Sequence, residues 1–447
     1  MTATVITVAE ARAATEARWK INLTWVWIGV FVGLLGANFV FPFVPFYIKE
    51  LGVTDKGEIA TWTSLSGSAT GVSLFLTAPL WGSMADRFGR KPMFLRALLG
   101  AGLLILVMGL AQNVWQFIGL RFAMGAFAGT MGAAAALVAA TTPREKTGQA
   151  LGLLQTAQFS SNMLGPLIGG PVAQFFGLRE SFYFCAALYL VACAGCYIFV
   201  KEPRASRVAK PTGVGRPAAS GGLVANLKSV LAERQIVVML GVLFALWLST
   251  TFVRPLLPLS IDDFSTPDGG THVDWHLGFT TLSLGEKIAS SYVFAGIGLT
   301  STIAALSLGP ISKRFGYKRC VATAAAGTGI FFIPVALANN YTSFLLFFAM
   351  TGVFQGAMVP GMNALIAAAT PDGKQGSAFG LAASMQSLAL TVGPIAGGLV
   401  VRYLGLRWDY AIIGIILMMT SVLAFIFVKD PPKPPARARE PATGGSA

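Results

Sequence analysis

One ten-residue stretch occurs twice in this chain, and its two copies limit most of what the chain can fold into. Gly82–Lys91 reads G-S-M-A-D-R-F-G-R-K, and Gly309–Lys318 reads G-P-I-S-K-R-F-G-Y-K, 227 positions further on (309 − 82). Each copy is a short charged gap between two long apolar runs. Asp86, Arg87, Arg90 and Lys91 carry the charge in the first. Other matches keep the register. Gly125 and Gly129 correspond to Gly352 and Gly356 at the same offset. Gly165-Pro166-x-x-Gly169-Gly170 corresponds to Gly393-Pro394-x-x-Gly397-Gly398, and Gly177-Leu178-Arg179 to Gly405-Leu406-Arg407, at an offset of 228. Self-similarity over so long a period means two related halves.

The apolar runs set the class. Only 12% of the residues are charged, against roughly 25% in soluble domains, and the mean hydropathy is +0.67. Runs of about 20 apolar residues are long enough to cross a bilayer as helices, and they do not alternate as barrel strands would. Helices are expected at about 21–48, 61–84, 93–111, 115–140, 148–176 and 182–200, then at 236–259, 288–312, 320–338, 341–369, 377–403 and 410–428. The expected fold is an all-α membrane protein, with twelve transmembrane helices in two pseudo-symmetric six-helix bundles, 21–201 and 235–429. Residues 1–20 read as a cytoplasmic tail, and the first helix as retained rather than cleaved. The Pro-, Gly- and Lys/Arg-containing stretch 202–234 reads as a cytoplasmic linker with one surface helix near 223–231. Residues 430–447, rich in Pro, read as a disordered cytoplasmic tail. Six helices per half leave both halves in the same orientation, as parallel repeats about the membrane normal. That arrangement suits a transporter whose two bundles rock about a site near the midplane.

The net charge of +14 serves topology. With a cytoplasmic N-terminus, 25 of the 33 Lys and Arg fall on that side. Lys49, Lys56, Arg179, Lys287, Arg402 and Arg407 fall on the other, and Arg121 and Arg254 lie inside spans. This is the positive-inside bias, and no nucleic-acid partner is expected. Cys193 and Cys196 form a C-x-x-C inside an apolar run and read as small helix residues, not redox chemistry. His272 and His276, with Asp274 between them at helical spacing, fall in an outer loop, 260–286. They read as an exposed polar loop, with no metal. No phosphate-binding G-x-x-x-x-G-K-[ST] occurs, and no cofactor is expected. With two loop histidines and no nucleophile–base set, an enzyme is disfavoured.

These motifs resemble the major facilitator superfamily over nearly the whole chain. Gly82, Asp86, Arg87, Gly89, Arg90 and Lys91 are similar to its loop 2–3 signature. Arg121 and Gly125, in L-R-F-A-M-G-A-F-A-G, resemble the helix 4 arginine motif of drug/proton antiporters. Gly165, Pro166, Gly169 and Gly170 resemble their helix 5 antiporter motif, with Ser161 in place of its first glycine. W-K-I-N-L near Trp19 and L-A-Q-N-V-W-Q-F near Gln112 resemble the twelve-helix, MdtG-type multidrug exporters. The resemblance implies export of lipophilic or amphipathic small molecules by alternating access, with protons moving inward, from a bacterial inner membrane. A monomer with both termini cytoplasmic is expected. A dedicated exporter of one metabolite or lipid, an uncoupled facilitator, a membrane sensor and a membrane enzyme are the alternatives.

Physical chemistry gives these residues distinct tasks. Gly82 lets helices approach closely, and Asp86 is suited to the positive end of a neighbouring helix. With Arg87, Arg90 and Lys91 it reads as a latch that closes the inner side, with Glu145 a partner for Arg90. Lys313 replaces Asp86 in the second copy, so the latch is asymmetric. Arg121, inside an apolar helix, must be partnered or snorkel, and it reads as a conformational or proton-coupling residue, or else as a structural pair. The glycines of helix 5 read as close packing across the seam between halves. Asn38, Gln155, Gln158, Asn162, Trp247, Gln355, Asn363 and Gln386 are expected to line a central apolar cavity with scattered amides. Arg254, at the outer end of helix 7, reads as an outer salt bridge to Glu286, Asp262 or Asp263, or else as a contact to an anionic substrate. Relatives carry an acid on helix 1 where this chain has Asn38, so proton coupling rests on the resemblance alone.

Overall fold

A computed structural model describes residues 8–143, 146–202, 232–264, 272–276, 280–370 and 375–430. The expected linker helix, Glu145 and the C-terminal tail from 431 lie outside the described residues.

Twelve spanning helices appear among the described residues, six in each half. Helix 1 runs Val8–Val40, takes one tight turn at Phe41–Phe43 and resumes as Val44–Glu50. Pro42 and Pro45 account for the interruption, since each lacks a backbone N–H and crowds the turn before it. Helix 7 repeats the device as Arg234–Val253 followed by Leu257–Asp262, with Pro255 and Pro258. Helix 1 starts well before Ile21. Its first turns, V-A-E-A-R-A-A-T-E-A-R, consist largely of strong helix formers, so extension costs little.

Helices 2 and 3 are Lys56–Phe88 and Arg90–Met108, and helices 8 and 9 are Glu286–Phe315 and Tyr317–Ala336. A single glycine separates each pair, Gly89 at φ 97° and Gly316 at φ 84°. Helices 5 and 6 (Thr147–Phe175, Leu178–Phe199) and helices 11 and 12 (Gln375–Leu404, Leu406–Phe427) turn in the same way at Gly177 and Gly405. The left-handed region strains any residue with a Cβ, which is why the repeat preserves these glycines. Helices 4 and 10 begin with matched caps. Asn113 accepts the Gln116 N–H at 2.9 Å, and Asn340 accepts that of Ser343 at 2.8 Å.

The symmetry fails at two places. Helix 10, Tyr341–Ala369, is continuous, whereas helix 4 is broken into Val114–Phe127 and Thr130–Thr141 at Gly129, φ 104°. Between helices 7 and 8 the extra residues of the second half form an antiparallel hairpin, His272–His276 against Thr281–Gly285. The helical spacing read for His272, Asp274 and His276 is therefore wrong. In a strand these residues share one face by the period of two. Val273 and Trp275 take the other, where Val273 is buried and Trp275 packs on Tyr292 and Tyr341.

Ten of the twelve helices are apolar enough to cross a membrane on hydropathy alone. Helices 2 and 5 fall short because they are rich in Ser, Thr, Gly and Gln. These two face the other half, with helix 2 packed on helix 11 and helix 5 on helix 8. Each half keeps a core of its own, around Tyr47, Phe117 and Phe182 in the first and Phe332, Phe344 and Tyr410 in the second.

Candidate functional site: the seam between the halves

The seam is closed at the hairpin end. Lys49 meets Asp262 at 3.0 Å, and Lys56 meets Asp262 at 3.5 Å and Asp263 at 2.8 Å, each pair joining the two halves. Below them helices touch backbone to backbone. A Cβ on Gly71 of helix 2 would lie 2.8 Å from Leu390 C and Thr391 N of helix 11. A Cβ on Gly298 of helix 8 would lie 2.9 Å from Asn162 O of helix 5.

The glycines of the helix 5 motif divide the work differently from what the sequence suggests. Gly165 and Gly169 do not face the other half. They pack on helix 1, where a Cβ at Gly165 would sit 2.6 Å from Asn38 Cβ and one at Gly169 would overlap Phe39 O. Gly170 is the residue that crosses, against Ser291 and Lys287 O of helix 8. The second half copies the division. Gly393 and Gly397 pack on Thr251 and Phe252 of helix 7, and Gly398 crosses to Ser64 of helix 2. Pro166 lies within helix 5, beside these contacts.

Toward the opposite end the helices part. Cβ atoms on Gly152 of helix 5, Gly309 of helix 8 and Gly380 of helix 11 would meet nothing within 4 Å. Gln155 is exposed, and Gln158, Gln355, Asn363, Gln386 and Trp247 are half-buried. None of the five amides among the described residues bonds to another. Unpaired amides are costly against lipid tails, so the expected place for them is the cavity between the parted helices.

Three residues join the halves at the roof of this cavity. Arg254 Nη2 donates to Asn38 Oδ1 at 2.6 Å, and Asn38 Nδ2 donates to Asn162 Oδ1 at 3.0 Å and to Leu34 O at 2.9 Å. The Arg254 guanidinium also lies 5.9 Å from the Phe294 ring centroid. The expected outer salt bridge is absent. Among the described residues no ion pair joins Arg254 to Glu286, Asp262 or Asp263. Lys49 and Lys56 occupy both aspartates, and Arg254 points the other way, across the seam.

Arg121 is 7% exposed and does not snorkel. Helix 2 packs over it, with Thr70 Oγ1 donating to its carbonyl at 3.1 Å and Gly125 one turn on against the Thr70 backbone. Gly82, Asp86 and Arg87 lie in the last turns of helix 2, and Gly89 makes the turn that follows. Arg90 and Lys91 start helix 3, where their backbone N–H groups meet the Glu202 carboxylate at 3.1 and 3.2 Å. Lys91 Nζ donates to Tyr197 O and Val200 O at the end of helix 6. Lys91 thus ties helix 3 to helix 6 by placing a cation at a helix C-terminus. Asp430 does for Lys318 N–H, at 2.9 Å, what Glu202 does for Lys91.

Several residues that matter here carry no motif that assigns them a role. Arg96 stacks on Trp81, 3.4 Å from its ring centroid, and reaches Phe127 O and Ala128 O at 3.5 and 3.4 Å. Trp81 Nε1 donates to Ala126 O. Together they satisfy carbonyls freed by the break in helix 4, and the repeat positions Leu308 and Thr323 cannot do this. Asn22 of the W-K-I-N-L motif pairs with both backbone groups of Lys201, at 2.9 and 3.0 Å. Asp409 in the first turn of helix 12 is 1% exposed, and its Oδ1 has no hydrogen-bond partner among the described residues. Only its place one residue before the expected start of the span, 410, hid it.

Two six-helix bundles in parallel repeat, closed against each other at one end and parted at the other, define a membrane transporter. The Major Facilitator Superfamily model matches residues 26–285 and 272–445, and the chain belongs to that family. It is 29% identical over 413 residues to the multidrug resistance protein MdtG of Yersinia enterocolitica, covering 92% of this chain and 94% of that one. It is 30% identical over 414 residues to the multi-drug resistance efflux pump PmrA homolog of Lactococcus lactis, covering 92% and 95%. The crystal structure of a POT family transporter in complex with 5-aminolevulinic acid superposes with a TM-score of 0.74 over 91% of this chain and 95% of that one, at 11% identity. That likeness concerns the fold.

Proposed function

We propose that the protein exports lipophilic and amphipathic small molecules from a bacterial inner membrane by alternating access, as an antiporter with protons and not as an enzyme. The observation that carries this is the seam itself, shut by Lys49, Lys56 and Asn38 at the hairpin end and open over unpaired amides at the other. The names of the MdtG and PmrA relatives support drug efflux. The hairpin end then faces outward and both termini face the cytoplasm, in keeping with the distribution of Lys and Arg. Gln155, Gln158, Asn162, Gln355, Asn363, Gln386 and Trp247 line the substrate path, where amides and a large aromatic surface tolerate varied shapes. Asp86, Arg87 and Arg90, with Gly82 and Gly89, close the inner side when the site faces outward. Lys91 braces that end of the first half, and Arg121 holds helix 4 against helix 2 as the halves move.

Efflux from proteoliposomes with and without an imposed pH gradient tests the proposal. Gradient-dependent efflux of several unrelated lipophilic compounds is expected, and efflux indifferent to the gradient would sink the antiport. A facilitator without coupling is the second reading. Asn38 favours it, because an amide committed to Asn162 and Arg254 replaces the helix 1 acid. Asp86→Asn tests the latch, and full transport by that variant would remove it.

A further inference from the structure

We infer that Arg254 is a substrate site for anionic groups, which makes amphipathic anions, not lipophilic cations, the preferred cargo. The inference rests on the exporter reading and specifies its substrate class. Charged residues inside membrane proteins pair with one another or with backbone carbonyls. Among the described residues Arg254 pairs with no carboxylate. The described residues offer it one amide oxygen, Asn38 Oδ1 at 2.6 Å, and the face of Phe294 at 5.9 Å. A guanidinium has five N–H donors in a planar fork that fits a carboxylate, sulfonate or phosphonate in two-point fashion. One neutral acceptor leaves most of that capacity unused and the charge uncompensated.

Position makes the charge a substrate group and not merely a structural one. Arg254 is half-buried at the cavity roof, where the halves meet. The nearest acids in sequence, Asp262 and Asp263, are held at the hairpin end by Lys49 and Lys56. Trp247, about two turns further down helix 7 and half-buried, supplies apolar surface for the rest of such a molecule. An uncompensated cation repels a lipophilic cation as it attracts an anion.

The same contact links binding to movement. An anion that takes Nη2 displaces Asn38 Oδ1 and removes a hydrogen bond that joins the halves. Substrate thereby loosens the closed end, as alternating access requires of a ligand that favours the other state. The repeat position of Asn38 in the second half, Thr251, makes no such crossing. It bonds Ala389 O of helix 11, within its own half, so the device occurs once, where Arg254 is.

The test uses the full chain in proteoliposomes, with carboxyfluorescein as an anionic aromatic dye and ethidium as a cationic one. The wild type is expected to move carboxyfluorescein faster. Arg254→Gln should lower that rate at least tenfold while ethidium transport holds or rises, and Arg254→Lys should retain part of the anion preference. Carboxyfluorescein binding to the purified protein, followed by anisotropy, should weaken in Arg254→Gln and survive in Arg254→Lys. Equal loss of both dyes in Arg254→Gln, with unchanged anion binding, would mark Arg254 as structural and overturn the site. A wild type that moves ethidium but not carboxyfluorescein also overturns it and leaves the exporter reading intact. A wild type that moves neither dye, nor any of the lipophilic compounds, ends both.

Discussion

Glu202, just past the end of helix 6, accepts the backbone N–H groups of Arg90 and Lys91 at the start of helix 3. Gly89 supplies the turn but no side chain, so nothing local caps that helix. A distant carboxylate does it instead, with its negative charge at the positive helix end. Asp430 caps helix 9 with one such bond, to Lys318. Glu202→Ala should cost about 1 kcal/mol, the usual loss on removing a cap, and Asp430→Ala less. Thermal denaturation of both purified variants would check the order, and equal losses would contradict it.

Gly170 meets Ser291 across the seam, while Gly165 meets Asn38 inside one half. Alanine at the two positions should therefore do different things. Gly170→Ala is expected to push the hairpin end open, since Ser291 and Lys287 O leave no space for a methyl. A cysteine reporter near the roof would then react more readily from outside. Ser291→Gly should partly reverse this. Gly165→Ala should lower thermal stability, by about 1–3 kcal/mol for overpacking, without that change in labelling. Matching labelling profiles for the two alanine variants would refute the division of roles.

Much of this was legible in the sequence, because the repeat encodes backbone requirements. Gly89, Gly316, Gly177 and Gly405 are recognisable as turns since only glycine takes their φ without strain, and they fall in register. The twelve helices follow from the length and apolar character of the runs. Which neighbour a glycine faces was not legible. Gly165, Gly169 and Gly170 differ by rotation about helix 5, and that rotation is set by tertiary packing. Arg254 was assigned to the wrong partner for a similar reason. Sequence proximity favoured Asp262 and Asp263, and nothing local shows that Lys49 and Lys56 hold them from the other half. The hairpin reads as a polar loop because its first strand, His272–His276, offers only Val273 and Trp275 as alternating apolar residues, too short a signal to recognise.

The bridges from Lys49 and Lys56 to Asp262 and Asp263 close the hairpin end without burial to protect them. Lys49 and Asp262 side chains are 33% and 16% exposed, and Lys56 and Asp263 are 56% and 50% exposed. Pairs this wet contribute about 0.2–1 kcal/mol each and weaken with salt. Asp262→Asn removes two of the three contacts. It should shift the balance toward the outward-open form about two- to fivefold, as read by outside labelling of a roof cysteine. The wild type in high salt should move in the same direction, and Asp262→Asn should lose most of its salt response. A variant as salt-sensitive as the parent would show that the closure lies elsewhere.

Asp409 is the only acid buried in the described residues whose exposure is defined. It sits where helix 12 passes helix 11 and helix 7. A Cβ on Gly397 would lie 3.2 Å from its Oδ1, with Phe252 O and Leu256 beside it. Helices 7 and 11 present no charged group there. Its repeat position holds Ser181, which bonds Gly177 O, so the first half has no equivalent acid. A buried carboxylate without a cation is costly when ionised. Asp409→Asn keeps the shape and removes the ionisable group, and should raise thermal stability at neutral pH by about 1–3 kcal/mol, the range for relieving an unsatisfied buried group. If Asp409 carries the proton in place of the missing helix 1 acid, the same variant should export at a rate independent of an imposed pH gradient. Undiminished gradient dependence in Asp409→Asn would exclude Asp409 from coupling, and a fall in stability would show that its carboxylate is held by a partner after all.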